Sequence, residues 1–395
     1  MKRILFITTS SLAANPRLVK EVETLKHDFE CYVLCFKHFD WGLKLSDGIV
    51  QRNPEVHFVA IDRKKQLLQT LVSKLFHRVA RLCNPWFKKN TVVCAFASND
   101  KTPQLLFNAF LVSKGKPPKM VIAHNIGAFY PAMRVAKLTA SGLQLDIEDY
   151  HPGEALYFNK SFEKQNRMYI MQAAFCRSNT ITYASEGIAL ECQKQFRIGD
   201  GTKQATILNA FEAKYFKSPD KPSAIIKCVW FSQHIGPNRG LEQIFEAAKS
   251  LDQVEFHLIG NPNMHYLEGM ALSDNIKFHN SMKAEDLYRF LGLMDIGLAL
   301  EDISADQNRN ICLTNKIMAY AQAGLYILAT DTFGQSQFLN ALDYKAGKVI
   351  GTSLKDAINQ FDPNLLDIDC KTERWQRAKA FSWDNEQLKL KALLQ

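Results

Sequence analysis

The residues best suited to chemistry collect where short apolar runs end. Leu313-Thr314-Asn315-Lys316 opens a helical stretch that Gly324 can stop in the left-handed conformation, and a buried strand follows at Tyr326–Ala329. Thr314 or Asn315 can cap this helix. Just before it the apolar run Ile296–Leu300 ends in Glu301. A helix N-terminus at the carboxyl edge of a strand offers free N–H groups and a favourable dipole to an anion, and Lys316 adds a full charge. Such a site takes nucleotides and sugar phosphates. An ordinary strand–helix connection with a solvated lysine accounts for the same residues.

Three more strand ends carry reactive groups. Phe231–Gly240 joins a strand to a helix: Gly236 and Gly240 permit tight turns, and Arg239 can grip a diphosphate bidentately. Asn15-Pro16-Arg17 opens a helix with proline in its first turn, which puts Arg17 at the mouth of a cleft. His124 closes the run Met120–Ala123, and Leu143–Ile147 leads into Glu148-Asp149-Tyr150-His151-Pro152-Gly153-Glu154. Four ionisable groups in so short a loop are costly to bury, so the loop is either solvated or functional. No spacing there specifies a metal, and none is expected. Neither G-x-G-x-x-G nor G-x-x-x-x-G-K-[ST] occurs, which weighs against a dinucleotide dehydrogenase and a P-loop NTPase.

The elements that must position these groups alternate. Arg3–Thr8, Cys31–Phe36, Val92–Ala95, Met120–His124 and Leu143–Glu148 read as strands in the first half. Lys227–Ser232, Glu255–Ile259, Ile296–Glu301 and Tyr326–Ala329 do so in the second, with helical segments such as Pro16–Lys26 and Arg239–Leu251 between. This pattern predicts an α/β fold of parallel sheets covered on both faces. The polar stretch Lys214–Ser223 reads as a linker. Two Rossmann-like domains facing a cleft follow, joined near residues 210–224. At 47% hydrophobic and 23% charged, the 395 residues can build full cores without staples. Nine scattered cysteines without a C-x-x-C pair suit a reducing compartment, and no apolar run approaches a membrane span.

The net charge of +9 calls for an anionic partner. Residues 63–89 suggest which. Leu67, Leu68, Leu71, Val72, Leu75, Phe76 and Val79 share a helical face, Lys64, Lys65, Lys74, Arg78 and Arg81 lie mainly on the other, and Trp86 follows. A basic amphipathic helix over 64–82 can rest in an anionic membrane surface; a core-packed helix with a solvated basic face fits the same pattern. No stacking motif or recognition helix supports nucleic-acid binding.

The order and spacing of these motifs resemble the GT-B glycosyltransferases, specifically family 4 of the retaining enzymes and its bacterial cell-surface polysaccharide members. The resemblance covers nearly the whole chain. It rests on Lys2–Ile7 with Asn15-Pro-Arg17, His124, Asp146–Glu154, Tyr183–Glu186, Leu208–Glu212, Arg239-Gly240, Leu313–Gly324 and Phe381–Asp384. It implies a nucleotide-diphosphate sugar of UDP or GDP type as substrate and no cofactor. Arg239, Gly236, Thr314, Asn315 and Lys316 would hold the diphosphate, His124 would contact the donor sugar and Glu301 its hydroxyls. Asn15, Arg17, Glu148, Asp149, His151 and Glu154 would line the acceptor side. Lys64, Lys65, Leu68, Leu71, Leu75, Phe76, Arg78 and Trp86 would touch the membrane. Residues 1–212 would form the acceptor-side domain, with 374–395 packing back on it through the last helix, and 213–373 the donor domain. The family's two glutamates eight apart fall here at Ile311 and Ala319, and its glycine-rich first loop is Ser10–Asn15.

The sequence thus predicts a cytoplasmic, metal-independent retaining glycosyltransferase, peripheral at the inner face of the cell membrane. It would move a sugar to a lipid-linked or glycan acceptor in surface polysaccharide synthesis. A partner subunit with a degenerate donor site and a GT-B sugar-nucleotide epimerase are the alternatives.

Overall fold

A computed structural model describes residues 1–37, 42–155, 159–220, 225–237, 239–302, 306–343, 345–351 and 353–394. The chain divides into two compact units, Met1–Ile207 with Lys389–Gln395, and Leu208–Leu388. The linker expected at Lys214–Ser223 lies partly outside the described residues, as does Asn238 in the Phe231–Gly240 loop.

The first unit is built on seven strands: β1 Arg3–Thr8, β2 Glu30–Phe36, β3 His57–Ile61, β4 Met120–His124, β5 Gly142–Ile147, β6 Thr180–Tyr183 and β7 Lys203–Thr206. Every pairing is parallel, in the order β3-β2-β1-β4-β5-β6-β7. Helices cover both faces, so central strands such as β1 and β4 are apolar and buried almost throughout. The chain reverses direction across the sheet between β1 and β4, whose carboxyl ends bring Thr8 beside His124.

The second unit repeats the plan with β8 Ile226–Ile235, β9 Val254–Pro262, β10 Ile276–His279, β11 Ile296–Ala299, β12 Tyr326–Thr330 and β13 Gly347–Ile350. These are again parallel, in the order β10-β9-β8-β11-β12-β13. Its reversal point lies between β8 and β11, where the Gly236–Gly240 loop and Glu301 emerge. The closing helix, Trp383–Leu394, begins in the second unit and ends in the first.

One expected strand is a helix. Val92–Ala95 belongs to the helix Thr91–Ser98, because the Asn90 side chain accepts from the Val92 and Val93 amides and starts a helical turn. The basic helix starts at Leu67 rather than 64, since the Asp62 carboxylate accepts from the Lys64 and Lys65 amides and holds them in a turn. None of the nine cysteines is in a disulfide, and Cys31, Cys35, Cys94, Cys192 and Cys228 are buried. Among the described residues no helix is long and apolar enough to cross a membrane.

Gly324 ends the helix Asn315–Gln322 at φ +75°, and a Cβ there would meet the Lys371 carbonyl oxygen at 2.6 Å. Gly324→Ala is therefore expected to lower stability by about 1–2 kcal/mol from the left-handed backbone alone, with the clash added. Urea unfolding measures it, and an unchanged midpoint contradicts the assignment.

Candidate active site

The carboxyl edge of the first sheet is filled by a buried charge network. Pro16 and the Asn15 cap, which accepts from the Leu18 amide at 3.0 Å, start the helix Pro16–Leu25. That helix carries Arg17 and Glu21 on one side, four residues apart. Arg17 donates Nε and Nη2 to the two oxygens of Asp146 at 2.6 and 2.7 Å, and Nη1 to the Ile207 carbonyl at 2.5 Å. Thr182 donates to Asp146 at 2.6 Å. His124 Nδ1 lies 3.2 Å from Asp146 and 3.0 Å from Glu148, and its Nε2 lies 3.3 Å from Glu21. Asn15 Nδ2 donates to the same Glu148 oxygen at 2.9 Å.

These contacts set the charges. Burial pulls the His124 imidazole down, but Glu21, Asp146 and Glu148 outweigh it and hold it well above the ordinary histidine value. Burial also raises Asp146, yet Arg17 and His124 hold it below the usual aspartate range. Glu21 is raised by burial and by the charge of Asp146. Arg17 and His124 are each 0% exposed. This corrects one expectation: Arg17 does not stand at a surface. Both charges are paired, because an unpaired charge at that depth would be far too costly.

Glu21, His124 and Asp146 also offer ligand atoms within 4.8 Å of one another. Arg17 already places a cation on Asp146. The loop after β5 divides: Glu148 joins the network, whereas His151 Nδ1 lies 3.2 Å from Glu154. Arg167, not foreseen, pairs with Glu154 and donates to the His151 carbonyl at 2.9 Å. Burial of His151 is outweighed by Glu154, and its pKa is raised. Asp149 sits beside them in the half-buried part of the loop. Asn125 has φ +63°, unusual without glycine. Its side chain fastens β1 to β4 by accepting from Thr9 Oγ1 at 2.6 Å and donating to Thr8 Oγ1 at 2.8 Å.

The carboxyl edge of the second sheet is organised around cations. Lys316 Nζ lies 2.6 Å from Glu301, donates to the Leu300 carbonyl at 3.3 Å and stands 5.2 Å above the Trp230 ring. Burial lowers its pKa; Glu301 opposes, and Arg239 and Arg309 add to the lowering. Those two arginines therefore stand within electrostatic reach of Lys316. Lys316 is buried rather than solvated, and Glu301 spends its charge on it. Thr314 is the N-cap residue of the Asn315–Gln322 helix, but its buried hydroxyl has no hydrogen-bond partner and does not cap. Asn315 accepts from Asn209 at 3.1 Å.

Gly240, at φ +72°, brings the loop against Leu300, where a Cβ would come within 2.9 Å. An open pocket of about 390 Å³ lies between the β8 and β9 ends, lined by His234, Gly236, Arg239, Asn261 and Asn263. Ala319 is wholly buried in the apolar core.

The helix Leu67–Cys83 is inverted relative to a core-packed one. It buries Thr70, Ser73 and Ala80. Ser73 donates to the Asp100 carbonyl at 2.7 Å, and His77 Nδ1 lies 2.6 Å from the Phe96 carbonyl. Leu71, Leu75 and Phe76 are half or more exposed, and Leu68 and Trp86 about three-quarters. Lys64, Lys65 and Arg78 are exposed as well.

No family model and no curated protein matches this sequence. Solved structures do match over its whole length. HepE of Anabaena in complex with UDP-glucose superposes with a TM-score of 0.68 at 12% identity, covering 100% of this chain and 99% of the other. Sucrose-phosphate synthase of Thermosynechococcus elongatus gives 0.67 at 12%, covering 100% and 98%. The lipopolysaccharide outer core galactosyltransferase WaaB gives 0.62 at 11%, covering 99% of each. The chain has the fold of these proteins, the GT-B arrangement of two parallel sheets.

Asp146 supplies a direct test of the buried network. Its folded-state pKa is depressed, so its stabilisation is present above the ordinary aspartate value of 3.8 and lost as pH falls below it. Asp146→Asn removes the carboxylate that Arg17 grips through two hydrogen bonds and is expected to cost about 3–5 kcal/mol at neutral pH. The gap to wild type should close in acid. A pH-independent gap in urea unfolding contradicts the network.

Proposed function

We propose that this chain is a glycosyltransferase that moves a sugar from a nucleotide-diphosphate sugar to a lipid-linked or glycan acceptor in surface polysaccharide synthesis. One observation carries the reading. At the β8/β11 reversal point the helix Asn315–Gln322 begins beside Lys316, which pairs with Glu301, and Arg239 and Arg309 lie close enough to lower the Lys316 pKa. Such a site favours a diphosphate over any neutral ligand. That HepE, which shares the fold, was solved with UDP-glucose supports the same ligand class.

In this reading Arg239, Arg309 and the helix amides stabilise the leaving diphosphate, which makes a divalent metal unnecessary. Lys316 fixes Glu301, and the anomeric configuration is retained. The unit Met1–Ile207 with Lys389–Gln395 takes the acceptor and the unit Leu208–Leu388 the donor. The buried His124–Asp146–Arg17 network shapes the acceptor edge, and the loop Glu148–Glu154 lines it. The outward leucines and exposed basic residues of the Leu67–Cys83 helix hold the protein at the inner face of an anionic membrane, where a lipid-linked acceptor resides. Buried Ala319 favours a second reading, a partner subunit that has lost donor use.

Thermal unfolding with UDP, GDP, ADP, CMP and their sugar conjugates, without metal, separates the two. One nucleoside diphosphate at about 100 times its Kd should stabilise the fold by about 2.7 kcal/mol. Arg239→Ala should weaken that binding and lower turnover at least tenfold, ~1.4 kcal/mol. Folded protein that responds to no nucleotide supports the partner subunit.

A further inference from the structure

The outward face of the Leu67–Cys83 helix is not one continuous ridge. Leu67, Leu71, Leu75 and Leu82 form its exposed crest. Leu68, Val72 and Phe76, four residues apart in series, turn instead toward the helix Thr102–Ser113 and wall a groove. Phe96, Phe107 and Phe110 form the other side. The groove holds about 450 Å³, within the roughly 300–1,000 Å³ of small-molecule pockets. Its two helices are joined by polar links, Gln104 to Gln66 at 3.1 Å and Asn108 to Gln69 at 3.2 Å. Those bonds fix the spacing of the walls, which meet where Phe76 and Phe96 pack edge to face with ring centroids 6.0 Å apart.

Two further facts identify an occupant. The surroundings are cationic: residues 63–99 contain eight Lys and Arg and no Asp or Glu. Lys74, Arg78 and Arg81 are exposed. The groove also has a direction. Pro103 lines one end, and its neighbour Thr102 donates to the Gly127 carbonyl at 2.9 Å, just past the β4 carboxyl end. Lys101 donates to the Thr9 carbonyl at 2.8 Å at the same edge. Phe107 and Phe110 lie one and two helical turns farther out.

We infer that this groove receives the single hydrocarbon chain of a phosphate-bearing lipid acceptor, laid so that the head group reaches the carboxyl edge of the first sheet. The inference rests on the transferase reading and adds the seat of the acceptor's chain. A bilayer resting on the crest alone does not need a concave slot, nor one aligned with the reactive edge.

Farnesyl phosphate, one chain with one phosphate, is the probe, titrated calorimetrically into the full-length protein below its aggregation threshold. Saturable binding is expected. Val72→Trp, which fills the groove from an exposed position, and Phe107→Ser, which removes a wall, should each raise Kd at least tenfold. Farnesol should compete and inorganic phosphate should not. Cooperative unfolding near the wild-type midpoint shows that the variants fold.

Absence of saturable binding, equal affinity in both folded variants, or displacement by inorganic phosphate alone overturns the groove. So does flotation with phosphatidylglycerol vesicles by a protein that ignores farnesyl phosphate, because a surface contact then suffices. Nucleotide stabilisation of the wild type is measured alongside. If it is present while farnesyl phosphate fails, the groove inference falls alone. If it is absent while the groove binds, the transferase reading and the acceptor role fall together.

Discussion

Parallel strands impose one direction on each sheet. All strands of a unit end at the same edge, and a helix that directly follows a strand begins near that edge and brings its unsatisfied N–H groups there. The rest of each strand is covered on both faces and must be apolar. Polar chemistry is therefore confined to one rim per unit, and within that rim to the reversal point where two crossovers diverge. His124, Asn125 and Glu148 stand at the first such point, and Arg239, Glu301 and Lys316 at the second.

The two rims use that confinement differently. In the first, cations and carboxylates neutralise one another: Arg17 grips Asp146 and His124 sits among three acids. Such a network contributes order more than binding, since each member would be costly without the others. In the second, Lys316 and Glu301 neutralise one another while Arg239 and Arg309 stay within reach of a helix N-terminus. It is on this edge that the proposed diphosphate would lie, beside the helix amides and Arg239.

Much of this was legible in the sequence. Apolar runs alternating with capped helices gave nearly all the strands, and the Asn15-Pro16 start and the Gly324 stop lie where their backbone preferences demand. Val92–Ala95 misled because β-branched residues suggest a strand, whereas the Asn90 cap decides for a helix. Glu21 was invisible as a site residue: one helical turn past Arg17, its role exists only once His124 arrives from a distant strand. Arg309 was missed because its charge reaches Lys316, seven residues on, only once the chain has turned between them. The amphipathic helix was legible as a pattern but not in orientation. Only the tertiary bonds of Ser73 and His77 show that its polar stripe faces inward and its leucines outward.

The account turns on the second rim, and a crystal structure with the nucleoside diphosphate that binds most tightly addresses it without an acceptor. The account predicts diphosphate oxygens within hydrogen-bonding distance of the amides that open the Asn315–Gln322 helix and of the Arg239 guanidinium. A diphosphate bound anywhere else, or an empty rim at saturating nucleotide, contradicts it.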